Sequence, residues 1–150
     1  MALIGFSLHQ TMSQNSPCLS FASSAIINVS TPAAFQPVPY MAVYAATRAF
    51  VYSFSQALYG EWKGRGVLVQ TLIPGPTTEE FDAVAGTFYE STRTKWDSPE
   101  YLVKTSLAHL ADDAPLVITA KGTHKQRFFA TIFPARLVIR EVERMFQPPD

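Results

Sequence analysis

Apolar positions fall into short runs and helical stripes, punctuated by proline and glycine. From Ala2 to Met12, Leu3, Ile4, Phe6 and Leu8 recur at helical spacing, which predicts a short helix. Gln14 to Ser24 is polar and holds Pro17, so residues 1–24 read as an N-terminal helix and loop. Ala25-Ile-Ile-Asn-Val29 is short and rich in β-branched side chains, as in a strand buried on both faces. Pro32, Pro37 and Pro39 then exclude helix until about Met41. Met41 to Lys63 is helical in pattern for about six turns. Ala46, Phe50, Phe54 and Leu58 form one stripe, and Val51, Ser55, Tyr59 and Trp62 form a second. A helix apolar on two sides is predicted to be covered on two sides. Gly64 and Gly66 stop it, and Val67 to Ile73 follows as a nearly continuous apolar strand. Strand, helix and strand in this order make a βαβ unit.

Pro74-Gly-Pro-Thr77 closes that strand with a sharp loop, and Thr78 to Ala85 suits a short helix with acidic Glu79 and Glu80 in its first turn. Thr87 to Trp96 is irregular. Ser98 as cap and Pro99 at the first position open a helix to about Ala111, with Leu102, Val103, Leu107 and Leu110 turned inward. Pro115 to Thr119 is a last short strand. Residues 127–150 form an apolar and basic helical tail, interrupted by Pro134. Its expected place is against the body of the domain. A basic amphipathic segment is also suited to peripheral contact with a membrane surface. There is no internal repeat.

Composition narrows the class. With 150 residues, 47% apolar and only 16% charged, the chain is long enough for one domain with a core and is not of disordered type. Lys plus Arg equals Asp plus Glu at twelve each, so no net field draws it to nucleic acid. Cys18 is alone, which excludes an internal disulfide and fits a reducing, cytoplasmic setting. Met1 to Gln10 lacks the basic residues of a secretory signal, and no apolar run reaches the roughly 18 residues of a spanning helix. His9, His109 and His124 lack ligand spacing, so no metal site is expected.

The chemistry concentrates at Tyr44-Ala-Ala-Thr-Arg48. A phenol and a fixed cation four residues apart share one helix face, about 5–6 Å apart at Cβ. Ser30 and Thr31, at the end of the preceding strand, can bring a hydroxyl to them. Hydroxyl, phenol and cation together suit proton transfer at a carbonyl or alcohol oxygen.

Three segments in order carry a resemblance. Ala25-Ile-Ile-Asn-Val-Ser-Thr31, Tyr44-Ala-Ala-Thr-Arg48 and Ile73-Pro-Gly-Pro-Thr77 resemble successive signatures of the short-chain dehydrogenase/reductases, over about Ala25 to Pro149. The resemblance implies an α/β fold, a partial Rossmann-like doubly wound parallel sheet with flanking helices. It implies an NAD(P)-dependent oxidoreductase acting on a small-molecule secondary alcohol or ketone, with Tyr44 as proton donor and acceptor. The family's lysine, which holds the nicotinamide ribose hydroxyls, is replaced by Arg48, and its substrate-orienting serine by Thr31, with Ser30 just before it. Pro74, Gly75, Pro76 and Thr78 match the loop beside the nicotinamide. Arg48 keeps the charge but presents a planar fork and cannot shuttle a proton.

The spacing G-x-x-x-G-x-G occurs only as Gly60-Glu-Trp-Lys-Gly64-Arg-Gly66, which stops a helix instead of following a strand and opening one, and G-x-G-x-x-G does not occur. The likeness is therefore to the C-terminal half of the family domain, a truncated form expected to have weak or no activity alone. Without upstream strands the outer edge of the Ala25–Val29 strand is expected to be bare. The alternative reading is a non-catalytic interaction module. The 41–63 helix resembles the one that pairs across a two-fold axis in this family, so homo- or hetero-oligomers through its second stripe are expected.

Overall fold

The structure is a computed structural model that describes residues 24–75 and 97–147, and the backbone of residues 3–6. Strands β1 (Leu3–Phe6), β2 (Ser24–Val29), β3 (Val67–Ile73) and β4 (Leu116–Ile118) form one sheet in the order β1-β2-β3-β4. β2, β3 and β4 are parallel, with Ala25 beside Leu68 and Leu72 beside Val117. α1 (Ala42–Trp62) connects β2 to β3, and α2 (Pro99–Ala111) precedes β4. α3 (Thr123–Ile132) and α4 (Ala135–Phe146) end the chain.

β1 corrects the expected helix at residues 2–12. Leu3–Phe6 runs antiparallel to β2, with Leu3 opposite Asn28 and Phe6 opposite Ala25. The same strand occupies the edge of β2 that was expected to be bare. Pro32 is likewise not a barrier to helix. It opens a 3-10 turn, Pro32–Phe35, whose first position tolerates a missing N–H.

The pleat sends alternate residues of β3 to opposite layers. Thr71 accepts a bond from Gln56 of α1 (3.1 Å), and the neighbouring Gln70 bonds Ser106 of α2. Helices therefore lie on both faces, as in a doubly wound sheet. On the α1 side, Asn28 Nδ2 also donates to Ser55 Oγ (2.9 Å), and Ser55 donates to Val51 O. On the α2 side, Ala25, Leu68 and Leu110 pack together. Val103 and Leu107, expected inward, are 57% and 46% exposed, while Ser106 takes the inward place because Gln70 supplies its partner.

The two stripes of α1 also exchange expectations. Val51, Ser55 and Tyr59 face the protein's own sheet and the turn before β4, and the other stripe is open: Phe50 and Phe54 stack on each other at 5.6 Å, 59% and 42% exposed. At the far end of α1, Lys63 Nζ lies 2.6 Å from Asp113 Oδ2 and 2.8 Å from Tyr59 Oη. Hydrogen bonds, to Asp113 first and Tyr59 second, hold the lysine well above its ordinary 10.5. A raised folded value stabilises the fold fully below pH 10.5, and that contribution disappears as pH climbs through the raised value. Urea unfolding should show wild type more stable than Lys63→Gln at neutral pH, with the gap closing only above pH 10.5. A gap that closes at lower pH would contradict this pairing.

Candidate functional site

β2 ends at Val29, and the next two residues part company. Ser30 is fully buried, its N–H donating to Leu72 O (2.9 Å) and its hydroxyl to Arg48 O (2.8 Å). It ties β2 to β3 and to the second turn of α1. Thr31 turns outward in extended backbone and caps the 3-10 turn, its Oγ1 accepting from Ala33 N (3.1 Å). An accepting hydroxyl keeps its proton to donate, so Thr31 can bond a substrate oxygen and cap the turn at once.

Tyr44 and Arg48 sit one turn apart on α1, with the guanidinium carbon 5.1 Å from the phenol ring centre. Arg48 Nη1 reaches Val29 O at 3.5 Å, a long contact. Its Nε is buried with no hydrogen-bond partner among the described residues. A buried unpartnered donor is costly, about 1–3 kcal/mol or more when charged, so it calls for an acceptor.

The wall beside Thr31 is clamped from three sides. Phe35 meets Tyr52 edge-on at 5.0 Å, and the Arg127 guanidinium lies 5.4 Å and 5.9 Å from the two ring centres. Gln126 of α3 donates to Pro32 O (3.2 Å). Val138 and Val142 of α4 pack on Val38 and Ala45, next to Tyr44 in α1. Between the 3-10 turn and α1, Met41 N donates to Val38 O and Tyr40 has φ 64°. A positive φ at this turn position normally belongs to glycine, so the exposed Tyr40 holds local strain beside the site.

Pro74 and Gly75 follow β3, whose Leu72 carbonyl accepts from Ser30 N at the end of β2. Gly75 N donates to Thr119 Oγ1 (3.3 Å), and a side chain on Gly75 would place its first carbon 2.8 Å from Asp97 Oδ2. Neither Thr119, Asp97 nor Tyr40 could be found from sequence: each reaches the site through the tertiary fold or a turn type. Pro76 and Thr78, with the short helix expected at 78–85, lie outside the described residues. Among the described residues no cluster of His, Cys, Asp or Glu could hold a metal ion.

A model of the short chain dehydrogenase family matches residues 5–88, 84 of the 150 residues. The chain belongs to the short-chain dehydrogenase family. Very-long-chain 3-oxoacyl-CoA reductase of Bos taurus is 39% identical over 88 residues, 57% of this chain and 26% of that protein. 17-beta-hydroxysteroid dehydrogenase type 3 of Mus musculus is 45% identical over 49 residues, 33% of this chain and 16% of that protein. The chain thus spans about a quarter or less of the length of these relatives. Among solved structures, the short-chain dehydrogenase of Sphingobium yanoikuyae in complex with NADPH gives a TM-score of 0.57 at 27% identity, over 73% of this chain and 43% of that one. One from Burkholderia cenocepacia in complex with NADP gives 0.59 at 19% identity, over 83% and 49%, a likeness of fold. Thr31 after β2, Tyr44 and Arg48 in the first turns of α1 and the proline–glycine bend after β3 all lie beyond the carboxyl ends of parallel strands, where open α/β sheets bind ligands.

Proposed function

We propose that this chain supplies the proton-handling half of an NAD(P)-dependent oxidoreductase that interconverts a secondary alcohol and a ketone. The observation that carries the reading is the pair on α1: a half-buried Arg48 with its guanidinium carbon 5.1 Å from the Tyr44 ring centre. A ribose hydroxyl can accept from the guanidinium and bond the phenol at once. Arg48 and Tyr44 would hold the ribose, and Pro74 and Gly75 offer carbonyl oxygens to a carboxamide. The bound nicotinamide supplies or takes the hydride.

The chain's own groups handle the oxygen. In reduction Tyr44 gives its proton to the carbonyl oxygen as that oxygen gains charge, and in oxidation the phenolate takes it back. Thr31 donates a hydrogen bond to the same oxygen and so orients the carbonyl. Ser30 acts through position: its bond to Arg48 O fixes α1 against β2. Arg48 stays protonated and supplies charge and orientation.

No glycine-rich turn follows a strand and opens a helix within these 150 residues, so tight nucleotide binding calls for residues outside them. The open stripe of α1, with Phe50 and Phe54, supports association with another copy or an intact reductase. Energy transfer from protein aromatics to NADPH or NADH tests both points, with sedimentation of the same sample. Cofactor binding weakened by Arg48→Met supports the assignment. No binding at millimolar cofactor rules out autonomous activity, and a strict monomer counts against pairing through α1.

A further inference from the structure

The net-neutral chain is electrically lopsided. Residues 121–147 hold Lys121, Lys125, Arg127, Arg136, Arg140 and Arg144 against Glu141 and Glu143, six against two, a net charge of +4. The rest of the sequence holds six cations and ten anions, a net charge of −4. The basic segment also carries bare apolar side chains. On α3, Phe128 and Ile132 lie four residues apart on the outward face, 66% and 62% exposed, while Thr123 is buried. Phe133, at 44%, continues that surface to the Pro134 bend, and Leu137, at 37%, begins α4. On α4, Val138 and Val142 point inward, so Arg136, Arg140 and Arg144 follow each other at four-residue steps on the outward side.

The start of α3 sharpens the picture. Its first turn holds His124 and Lys125 and no acidic residue, and its cap is Gly122, which offers no side-chain bond. Cations at the positive end of a helix are locally unfavourable, and an anionic surface relieves that. We propose that the outward faces of α3 and α4 dock on an anionic lipid surface, with Phe128, Ile132 and Phe133 entering the headgroup boundary and Lys125 and the arginine row meeting the headgroups. Among the described residues no helix is long and apolar enough to cross a membrane, so the contact lies in the interface plane. A second copy is a poor occupant, because two-fold pairing would bring a +4 surface against itself.

The test is co-sedimentation of the full chain with vesicles of phosphatidylcholine alone or mixed with phosphatidylserine. Binding is expected only to the mixed vesicles, and added salt should weaken it. Each basic side chain near such a surface contributes about fivefold in partitioning. Lys125→Gln with Arg136→Gln should therefore weaken binding roughly 25-fold. Neither residue has an ion pair among the described residues. Phe128→Ser with Ile132→Ser, both on exposed sites, should also reduce binding, with thermal unfolding unchanged. Equal binding to neutral vesicles, no binding at low salt, indifference to both double variants, or equally tight binding to polyglutamate in place of lipid would each overturn the proposal. Sedimentation without vesicles would also overturn it, as self-association.

Discussion

Tyr44→Phe is expected to lower kcat for ketone reduction by about a hundredfold to ten-thousandfold, measured in whichever assembly turns over with NADPH. The phenol is the one group on this helix face that can both give and take a proton at a substrate oxygen. Its neighbour cannot substitute for it, because a guanidinium stays protonated. Thr31 cannot substitute either, since an aliphatic hydroxyl is too weak an acid to give up its proton, and this one also caps the 3-10 turn through Ala33 N. The ring, and with it the stack under Arg48, survives the change. Cofactor binding should therefore weaken by no more than about one hydrogen bond, roughly 0.5–1.5 kcal/mol. Arg48→Met should show the opposite profile, with nicotinamide binding as the first loss. If Tyr44→Phe turns over like the wild type, the proton comes from elsewhere and the assignment of the site fails.

What could be seen from the sequence divides along physical lines. β2, β3 and α1 were legible because local pattern decides them: β-branched runs, stripes at helical spacing, and Gly64 and Gly66 at the stop. Gly66 indeed closes the helix in the left-handed region, at φ 72°. Ser98-Pro99 marked the start of α2, where the serine accepts from Tyr101 N as a cap should. β1 was not legible. Four apolar residues suit either period, and Leu3–Phe6 becomes a strand through pairing with residues more than fifteen positions away. Which stripe of α1 turns to the sheet was also beyond local pattern. Hydrophobicity favours burying Phe50 and Phe54, yet Asn28 and Thr71 on the sheet need polar partners, and Ser55 and Gln56 meet them. At the site, the spacing of Tyr44 and Arg48 was enough to bring them together, whereas the split between Ser30 and Thr31 depends on which hydroxyl finds the Arg48 carbonyl.

The same tension between apolar pattern and polar pairing sets the largest stability effect expected. Gln70 sits fully buried in the central strand β3, its Nε2 donating to Ser106 O (3.2 Å) and its Oε1 accepting from the Ser106 hydroxyl. Ser106 is itself 2% exposed, so water does not replace a lost partner. Ser106→Ala would strand the Gln70 carboxamide oxygen, at a cost of about 1–3 kcal/mol. Gln70→Leu, close in volume, should cost less, because the serine can turn its hydroxyl back to its own helix. The two changes together remove donor and acceptor alike and leave apolar groups against an apolar layer. The double variant should therefore be more stable than the sum of the single losses by about 0.5–3 kcal/mol, the range found for contacting pairs. Urea unfolding of the four proteins measures this coupling directly. Additive losses would mean that the two side chains do not share the bond, and α2 would then be held to the sheet by Leu102, Leu110 and their neighbours alone.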